Sequence, residues 1–241
     1  MNNNISPVSD NSANSIYDYQ MLYQELLSQH QFMMSQISHE IRNPVTLINS
    51  FLQILGKQHP ELASEDCWNK IMENMEFLKS LLSDFSQFNN SGRTTMQEIN
   101  IVHLFHDILE SVTPAYRSLG IELILKKETA IPTFLADKTK IRQLILNLLR
   151  NAREAIGTGG TIVCTLKSDG NSVTISIRDT GPGIPDAYQK DLFEPFITHK
   201  QEGTGLGLAI CRRIAEAHEG SISFSSAPEK GTEFTVVFPV K

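Results

Sequence analysis

Apolar positions from Ile16 to Leu55 recur at steps of one, three or four. Ile16, Tyr19, Tyr23, Leu26, Leu27, Met33, Met34, Ile37, Ile41, Val45, Ile48, Leu52 and Leu55 keep this rhythm, with His30 in step among them. The spacing is that of one face of an α-helix. It predicts a single helix of about 40 residues, long for a globular domain and usual for a bundle or coiled coil. The stretch "GKQHPELASED" breaks the pattern, with Gly56 expected past the helix end and Pro60 in the turn. A second helix is expected from about Cys67 to Phe88, with Trp68, Ile71, Met75, Leu78, Leu82 and Phe85 on one face. Two antiparallel helices alone enclose no core. Their stripes are most easily buried by a second copy, which predicts a dimeric four-helix bundle and hence a homodimer.

"NNSGRTT" marks a linker, and beyond it the rhythm changes. Residues 101–119 read as a helix, "IELILKK" as a strand, and Ile141–Ile156 as an amphipathic helix. "TIVCTL" and "SVTISIR" read as strands, since Val173, Ile175 and Ile177 alternate with Thr174, Ser176 and Arg178. A helix over Leu206–Ala217 and closing strands "SISFSS" and "TEFTVVFP" complete the set. Helices and adjacent strands mixed in this way predict an α/β sandwich with helices on one face. The expected organisation is a disordered terminus over 1–15, a helical hairpin over 16–90, a linker over 91–97 and an α/β sandwich domain over 98–241. No internal repeat is visible.

Composition narrows the function classes. The net charge of −6 argues against a nucleic-acid binder, whose phosphate contacts need a basic surface. Cys67, Cys164 and Cys211 lie far apart, with neither metal-ligand nor disulfide spacing, which suits a reducing compartment. No apolar run approaches the ~18–20 residues of a membrane span, and the Asn- and Ser-rich start lacks the secretory pattern. A cytoplasmic chain without a membrane span is expected. The stretch ahead of the first helix is too short to fold alone, so a longer protein or a separate sensor or input protein would deliver a signal.

Four segments of the second half carry candidate chemistry. In "NLLRNAREAI", Asn147 and Asn151 are four residues apart on one helix face, opposite Leu144, Leu148, Ala152 and Ala155. Amide oxygens suit Mg²⁺, which also binds substrate phosphates; taken alone, the pair reads as a solvated face. In "DTGPGIP", Asp179 can accept from an exocyclic amine, while Gly181 and Gly183 let the backbone approach a flat ligand. In "GTGLGLAI", Gly203, Gly205 and Gly207 open a helix whose N-terminus favours an anion. No strand precedes this turn, so it is not a dinucleotide-binding fingerprint. In "LFEPFITHK", Phe193 and Phe196 can anchor a flap, and Lys200 can reach a terminal phosphate.

Each segment alone is a modest signal, but their order and spacing are specific. Together they resemble the N, G1, F and G2 boxes of the histidine-kinase ATP-binding domain, within the superfamily of gyrase, heat-shock chaperone, histidine kinase and MutL. The stretch "SHEIRNP" on the first helix resembles the H box of the dimerisation domain of that family. The resemblance covers roughly residues 20–241 and implies ATP, Mg²⁺, a dimeric hairpin and a response-regulator receiver domain as partner. Residue by residue it makes His39 the phosphoacceptor, Glu40 the adjacent acid and Asn43 the position linked to dephosphorylating the partner. It makes Asn151 the magnesium ligand, Asn147 a neighbouring phosphate or metal contact, and Asp179 the adenine reader. Gly181, Gly183, Gly203, Gly205 and Gly207 become the glycines of the two loops. The flap "ITHKQE" resembles a short-lid subgroup, with Thr198 and His199 where that subgroup often has two threonines. Glu154 stands where several long-lid relatives have lysine.

The chemistry at His39 fits that implication. Ile37 and Ile41 lie ~200° around the helix from it, so the imidazole points away from the apolar stripe, with Ser35 and Asn43 on its own face. An imidazole is largely neutral at pH 7 and nucleophilic, and Glu40 can offset the charge that builds on the ring during attack. Pro44 removes a helical N–H, which predicts a kink or weak point just beyond. The expected enzyme is an ATP-dependent protein-histidine kinase that autophosphorylates His39 and passes the group to an aspartate of a response regulator, with a phosphatase activity through Asn43. The rival readings are a phosphorelay phosphotransferase or scaffold with a non-catalytic ATP domain, and an ATP-driven clamp or serine kinase.

Overall fold

The computed structural model describes the backbone of residues 11–200 and 203–240, and within these the side chains from Met33 onward apart from Ser35. The expected disorder of residues 1–10, the apolar positions from Ile16 to His30 and the outward placing of Ser35 lie outside the described residues. The chain forms two compact units, one up to Met75 and one from Glu76.

In the first unit, helix α1 spans Asn11–Gln58, continuous through Pro44, so no break follows the His39 stretch. It starts earlier than the apolar rhythm predicts. Residues 11–15, expected to be disordered, are helical; they are Asn, Ser and Ala, which carry no periodic apolar signal to read. Gly56 lies inside this helix rather than beyond it. The reason is packing: the Trp68 ring lies where a Cβ on Gly56 would approach to 3.0 Å, so the glycine makes room for the indole. A 3₁₀ turn over Pro60–Ser64 follows, with Pro at its start. Helix α2 then spans Asp66–Asn90. Val45 is buried, but Ile37, Ile41, Ile48, Phe51 and Leu55 remain exposed, Phe51 at 62%. Among the described residues, most of the apolar stripe of α1 is exposed in the single chain.

The second unit begins with the last turns of α2. It continues through β1 (Gln97–Ile99), α3 (Ile101–Ser118), β2 (Ile121–Lys127), β3 (Phe134–Ala136) and α4 (Lys138–Ile156). Then come β4 (Gly160–Ser168), β5 (Ser172–Asp179), the one-turn α5 (Asp186–Gln189), α6 (Gly207–Ala217), β6 (Ser221–Ser226) and β7 (Thr232–Pro239). Five strands form one sheet in the order β2-β4-β5-β7-β6, and β1 pairs with β3 in a separate two-stranded ladder. Only β2 and β4 are parallel, and α4 supplies the crossover that parallel neighbours need. Along β4, β5 and β7 every second residue is buried, including Ile162, Cys164, Leu166, Val173, Ile175, Ile177, Phe234, Val236 and Phe238. These side chains meet the apolar stripes of α3, α4 and α6, from Phe105 and Ile108 through Leu144 and Leu148 to Ile210 and Ile214. Alternation on one face is what a sheet covered by a single helical layer requires.

Two polar ties fix the helices that frame the site. Asp137 caps α4, accepting from the Thr139 and Lys140 amides at 2.9 and 3.0 Å, and its other oxygen accepts from Thr95 N at 2.8 Å. Buried His218, at the end of α6, accepts from Asp137 N through Nε2 at 2.9 Å, while its Nδ1 lies 2.7 Å from Ile214 O. The Nδ1–H tautomer satisfies both bonds.

Candidate functional site

Helix α4 sets one wall of a cavity of about 280 Å³ in the second unit. Asn151, Arg150 and Glu154 line it from successive positions on one face of α4. The Asn151 amide makes no hydrogen bond to any described residue. Asn147, one turn earlier, does not line the cavity. It is buried, 8% exposed, and its Nδ2 points to Gly207 O at 3.4 Å, tying α4 to the first turn of α6. The two amides expected to act together at phosphate and metal are thus divided, Asn147 to a packing contact and Asn151 to the open cavity.

Asp179, at the end of β5, lies at the cavity wall and is 3% exposed. Its Oδ1 accepts from Gly181 N at 2.8 Å and Thr232 N at 3.3 Å. Its Oδ2 accepts nothing among the described residues. Burial pushes the Asp179 carboxyl above the usual carboxylate value, and the amides of Gly181 and Thr232 offset this only in part. Gly181 leaves no room for a side chain, because a Cβ there would sit 2.9 Å from Asp179 Oδ1. Gly183 lines the cavity with a left-handed φ of 78°, and a Cβ would meet Ala227 O at 2.2 Å. Ile184, Leu192, Leu208 and Phe234 supply apolar wall. A buried acceptor beside apolar side chains suits a flat, amine-bearing ring.

The glycine turn lies on the same cavity, with Gly203, Gly205 and Gly207 all at its wall. Gly205 has φ 67°, and a Cβ there would fall 2.7 Å from the Phe196 carbonyl carbon. Two cations face this side. Lys200 Nζ donates to Glu154 Oε2 at 2.6 Å. Arg150 lies 3.9 Å from Glu154 Oε1 and 3.7 Å from Asp84 Oδ2, the latter carried by α2. Asp84 Oδ2 also accepts from Thr204 Oγ1 at 2.7 Å.

The flap differs from expectation at one anchor. Phe193 packs against Phe224 and Phe234, with ring centroids 5.9 and 6.4 Å away. Phe196 does not enter that cluster. It is 57% exposed with a left-handed φ of 65°, its ring 6.3 Å from Phe85 of α2. This backbone is set by the turn, where Phe196 N donates to Gly205 O at 3.1 Å. His199, at the position expected to differ from relatives, stacks on Tyr188 with ring centroids 3.6 Å apart. Sequence reasoning missed Arg150, Thr232, Tyr188 and Asp84 at this cavity. Arg150 was within reach, since it continues the face of Asn147 and Asn151. Asp84 was not, because one carboxylate in a helical stripe carries no motif.

In the first unit His39, Glu40 and Asn43 are all exposed on α1. Ser38 beside them is buried and donates to Met34 O at 2.7 Å, so the helix turns its neighbour inward and His39 to solvent. Among the described residues no group of three or more His, Cys, Asp or Glu is placed to hold a metal ion. No described helix is long and apolar enough to cross a membrane.

Residues 29–93 match the family model described as His Kinase A (phospho-acceptor) domain. Residues 136–241 match the one described as histidine kinase-, DNA gyrase B- and HSP90-like ATPase. The chain belongs to the histidine kinase family. It is 30% identical over 233 residues to the signal transduction histidine-protein kinase AtoS of Escherichia coli (strain K12), covering 96% of this chain and 38% of that protein. The chain spans less than half the length of the curated relatives it matches first. Full-length ShkA, crystallised with AMPPNP, superposes with a TM-score of 0.73 at 27% identity, over 86% of this chain and 45% of that one. The histidine kinase ThkA, in complex with response regulator protein TrrA, gives 0.66 at 28%, over 93% and 66%.

Proposed function

We propose that the chain is a Mg-ATP-dependent protein-histidine kinase that phosphorylates itself on His39 and passes the phosphoryl group to a receiver aspartate of a response regulator. The observation that carries this reading is an exposed His-Glu pair on a long helix, in one chain with a cavity that joins a buried carboxylate, a free amide and a glycine turn. Domains over 16–90 and 98–241, joined at 91–97, would divide these roles. ShkA binds AMPPNP and ThkA binds a response regulator, and both relatives support the same assignment here.

In this reading Asp179 Oδ2 accepts from the adenine amine, and the turn around Gly203, Gly205 and Gly207 presents amides to the phosphates. Mg²⁺, when bound, offsets charge on the phosphate oxygens and the leaving group. The Asn151 oxygen would serve as the protein ligand of that ion, with phosphate oxygens and water as the rest. A ring nitrogen of His39 forms a bond to the γ-phosphorus while the bond from that phosphorus to the bridging oxygen breaks, releasing ADP. Glu40 takes or holds the proton on the other ring nitrogen. The N–P bond then breaks as a receiver carboxylate oxygen bonds to phosphorus. Asn43, one turn beyond His39, orients a water whose oxygen bonds to the phosphorus of the phosphorylated receiver as the bond to the aspartate oxygen breaks, releasing inorganic phosphate and the free carboxylate. The uncovered α1 stripe supports a homodimer, since a second copy buries it.

The test is chemical. After incubation with γ-labelled ATP and Mg²⁺, the bound label should survive alkali and be lost in acid. Label stable to acid would mark a serine or threonine ester and overturn the reading.

A further inference from the structure

Arg150 lines the cavity with its hydrogen bonding incomplete. Its guanidinium carries five N–H donors yet makes no hydrogen bond to any described residue. It has only ion-pair approaches, 3.7 Å to Asp84 Oδ2 and 3.9 Å to Glu154 Oε1. It faces the glycine turn, where a Cβ on Gly207 would lie 3.4 Å from Nη2. A planar fork of donors beside a phosphate-binding turn matches the geometry that phosphate oxygens accept best.

Asp84 has the opposite character. It is 5% exposed, and its carboxylate relies on two partners, the Thr204 hydroxyl at 2.7 Å and the Arg150 charge. Thr204 stands between Gly203 and Gly205, so this bond joins α2 directly to the glycine turn. The Asp84 carboxylate is buried, but the Arg150 side chain is 38% exposed, so solvent screens the pair and a competing anion can reach the guanidinium. Other ties of the α2 terminus lie on residues that do not line the cavity: Gln143 to Gln87 and Lys140 to Asn90 O, both 2.7 Å, Arg213 over Phe88, and the Phe85 ring 6.3 Å from Phe196.

We infer that Arg150 is a binding residue for nucleotide phosphate and that Asp84 holds it in reserve, so that phosphate arriving at the glycine turn takes Arg150 and releases Asp84 with its stretch of α2. The inference rests on the ATP reading given above. Phosphate competes twice: it binds the guanidinium that Asp84 needs, and it brings negative charge against the carboxylate. Nucleotide occupancy is thereby written onto α2, at a point within about two turns of the helix end that leads to the linker. The link uses no catalytic group, since neither Asp84 nor Arg150 need touch the reacting phosphorus.

The experiment uses the full chain, with AMPPNP and Mg²⁺ as the probe. Affinity is measured by calorimetry for the parent, Asp84→Asn, Arg150→Gln and the double variant, and backbone hydrogen exchange is followed over residues 80–88 with and without AMPPNP. Asp84→Asn should bind AMPPNP several-fold more tightly, and Arg150→Gln about ten-fold more weakly, the scale of one charge-assisted hydrogen bond. The double variant should bind no more tightly than Arg150→Gln, because the two effects share one contact. AMPPNP should speed exchange over 80–88 in the parent and leave it unchanged in Arg150→Gln at saturation. Binding by Asp84→Asn equal to or weaker than that of the parent, or slowed exchange over 80–88, would overturn the inference while leaving ATP binding intact. A parent that binds no AMPPNP would overturn both.

Discussion

Lys200 Nζ donates to Glu154 Oε2 at 2.6 Å, pairing the cation of the flap with a carboxylate two turns along α4 from Asn147. Both side chains are more than one-third exposed, so solvent screens the pair and it contributes under about 1 kcal/mol to folding. Its meaning is competition: the phosphate of a nucleotide must draw Lys200 away from Glu154. Lys200→Ala should weaken AMPPNP binding about three- to ten-fold, the scale of one partly exposed charge contact. Glu154→Gln should strengthen it slightly, with thermal stability nearly unchanged in both variants. Titration calorimetry and thermal unfolding check this; weaker binding by Glu154→Gln would mean that Glu154 helps to hold nucleotide.

Asp179 predicts both a loss of affinity on substitution and a pH dependence. Asp179→Asn keeps the shape but offers a donor or a weaker acceptor to the adenine amine, so AMPPNP affinity should fall about ten-fold or more. Burial raises this carboxyl, so protonation sets in at a higher pH than for an ordinary aspartate. The acceptor at Oδ2 is therefore lost as pH falls through that raised value, and affinity should decline on acidification before ordinary carboxylates titrate. In Asp179→Asn that part of the pH profile should be absent. Affinity measured from neutral pH downward, in both chains, decides the point.

Asp137 predicts an acid-side loss of stability. Burial alone would raise its carboxyl, but amide donors from Thr95, Lys140 and Thr139, with the Lys140 charge, hold it below the usual value. A lowered carboxyl contributes stability that is fully present above the unfolded-state value and lost as pH falls through the folded-state value. Asp137→Ala should cost about 1–2 kcal/mol near neutral pH, as loss of a helix cap does. The difference from the parent should shrink below about pH 4, where the unfolded carboxyl begins to bind protons. Denaturant unfolding at several pH values measures it; a constant difference would show that the charge is irrelevant.

Asn43→Ala tests the hydrolytic duty. The side chain is exposed on α1, so its loss should leave folding and phosphorylation of His39 nearly unchanged. Release of phosphate from a phosphorylated receiver domain should slow by about ten-fold or more, the scale on which a group positioning a reacting water acts. Equal rates for parent and variant would remove Asn43 from that role.

Much of the fold follows from periodicity. Val173, Ile175 and Ile177 alternate in sequence and are buried on the helix-covered face. The three-residue strands β1 and β3 escaped notice because so short a stretch shows no period. Gly56 was misread as a stop, since a glycine signals an end and a packing gap alike and only the Trp68 ring tells them apart. The gathering of Asn151, Asp179, Gly183, Gly203, Gly205 and Gly207 at one cavity was legible because each belongs to a compact local motif, while Gly181 supports Asp179 without lining the cavity. Asn147 was read with Asn151 from helical geometry, which cannot reveal that α6 closes over one amide and leaves the other open. Asp84 was invisible for a deeper reason: its partner Thr204 lies 120 residues away, and contacts across that separation leave no local pattern.

His39 as the phosphoryl acceptor is the central proposal for this chain. The most direct measurement is incorporation of γ-labelled phosphate into the parent and into His39→Gln, with AMPPNP affinity determined for both. The prediction is label on the parent, none on His39→Gln, and equal nucleotide affinity in the two chains. Undiminished label on a His39→Gln chain that binds AMPPNP normally would contradict the account.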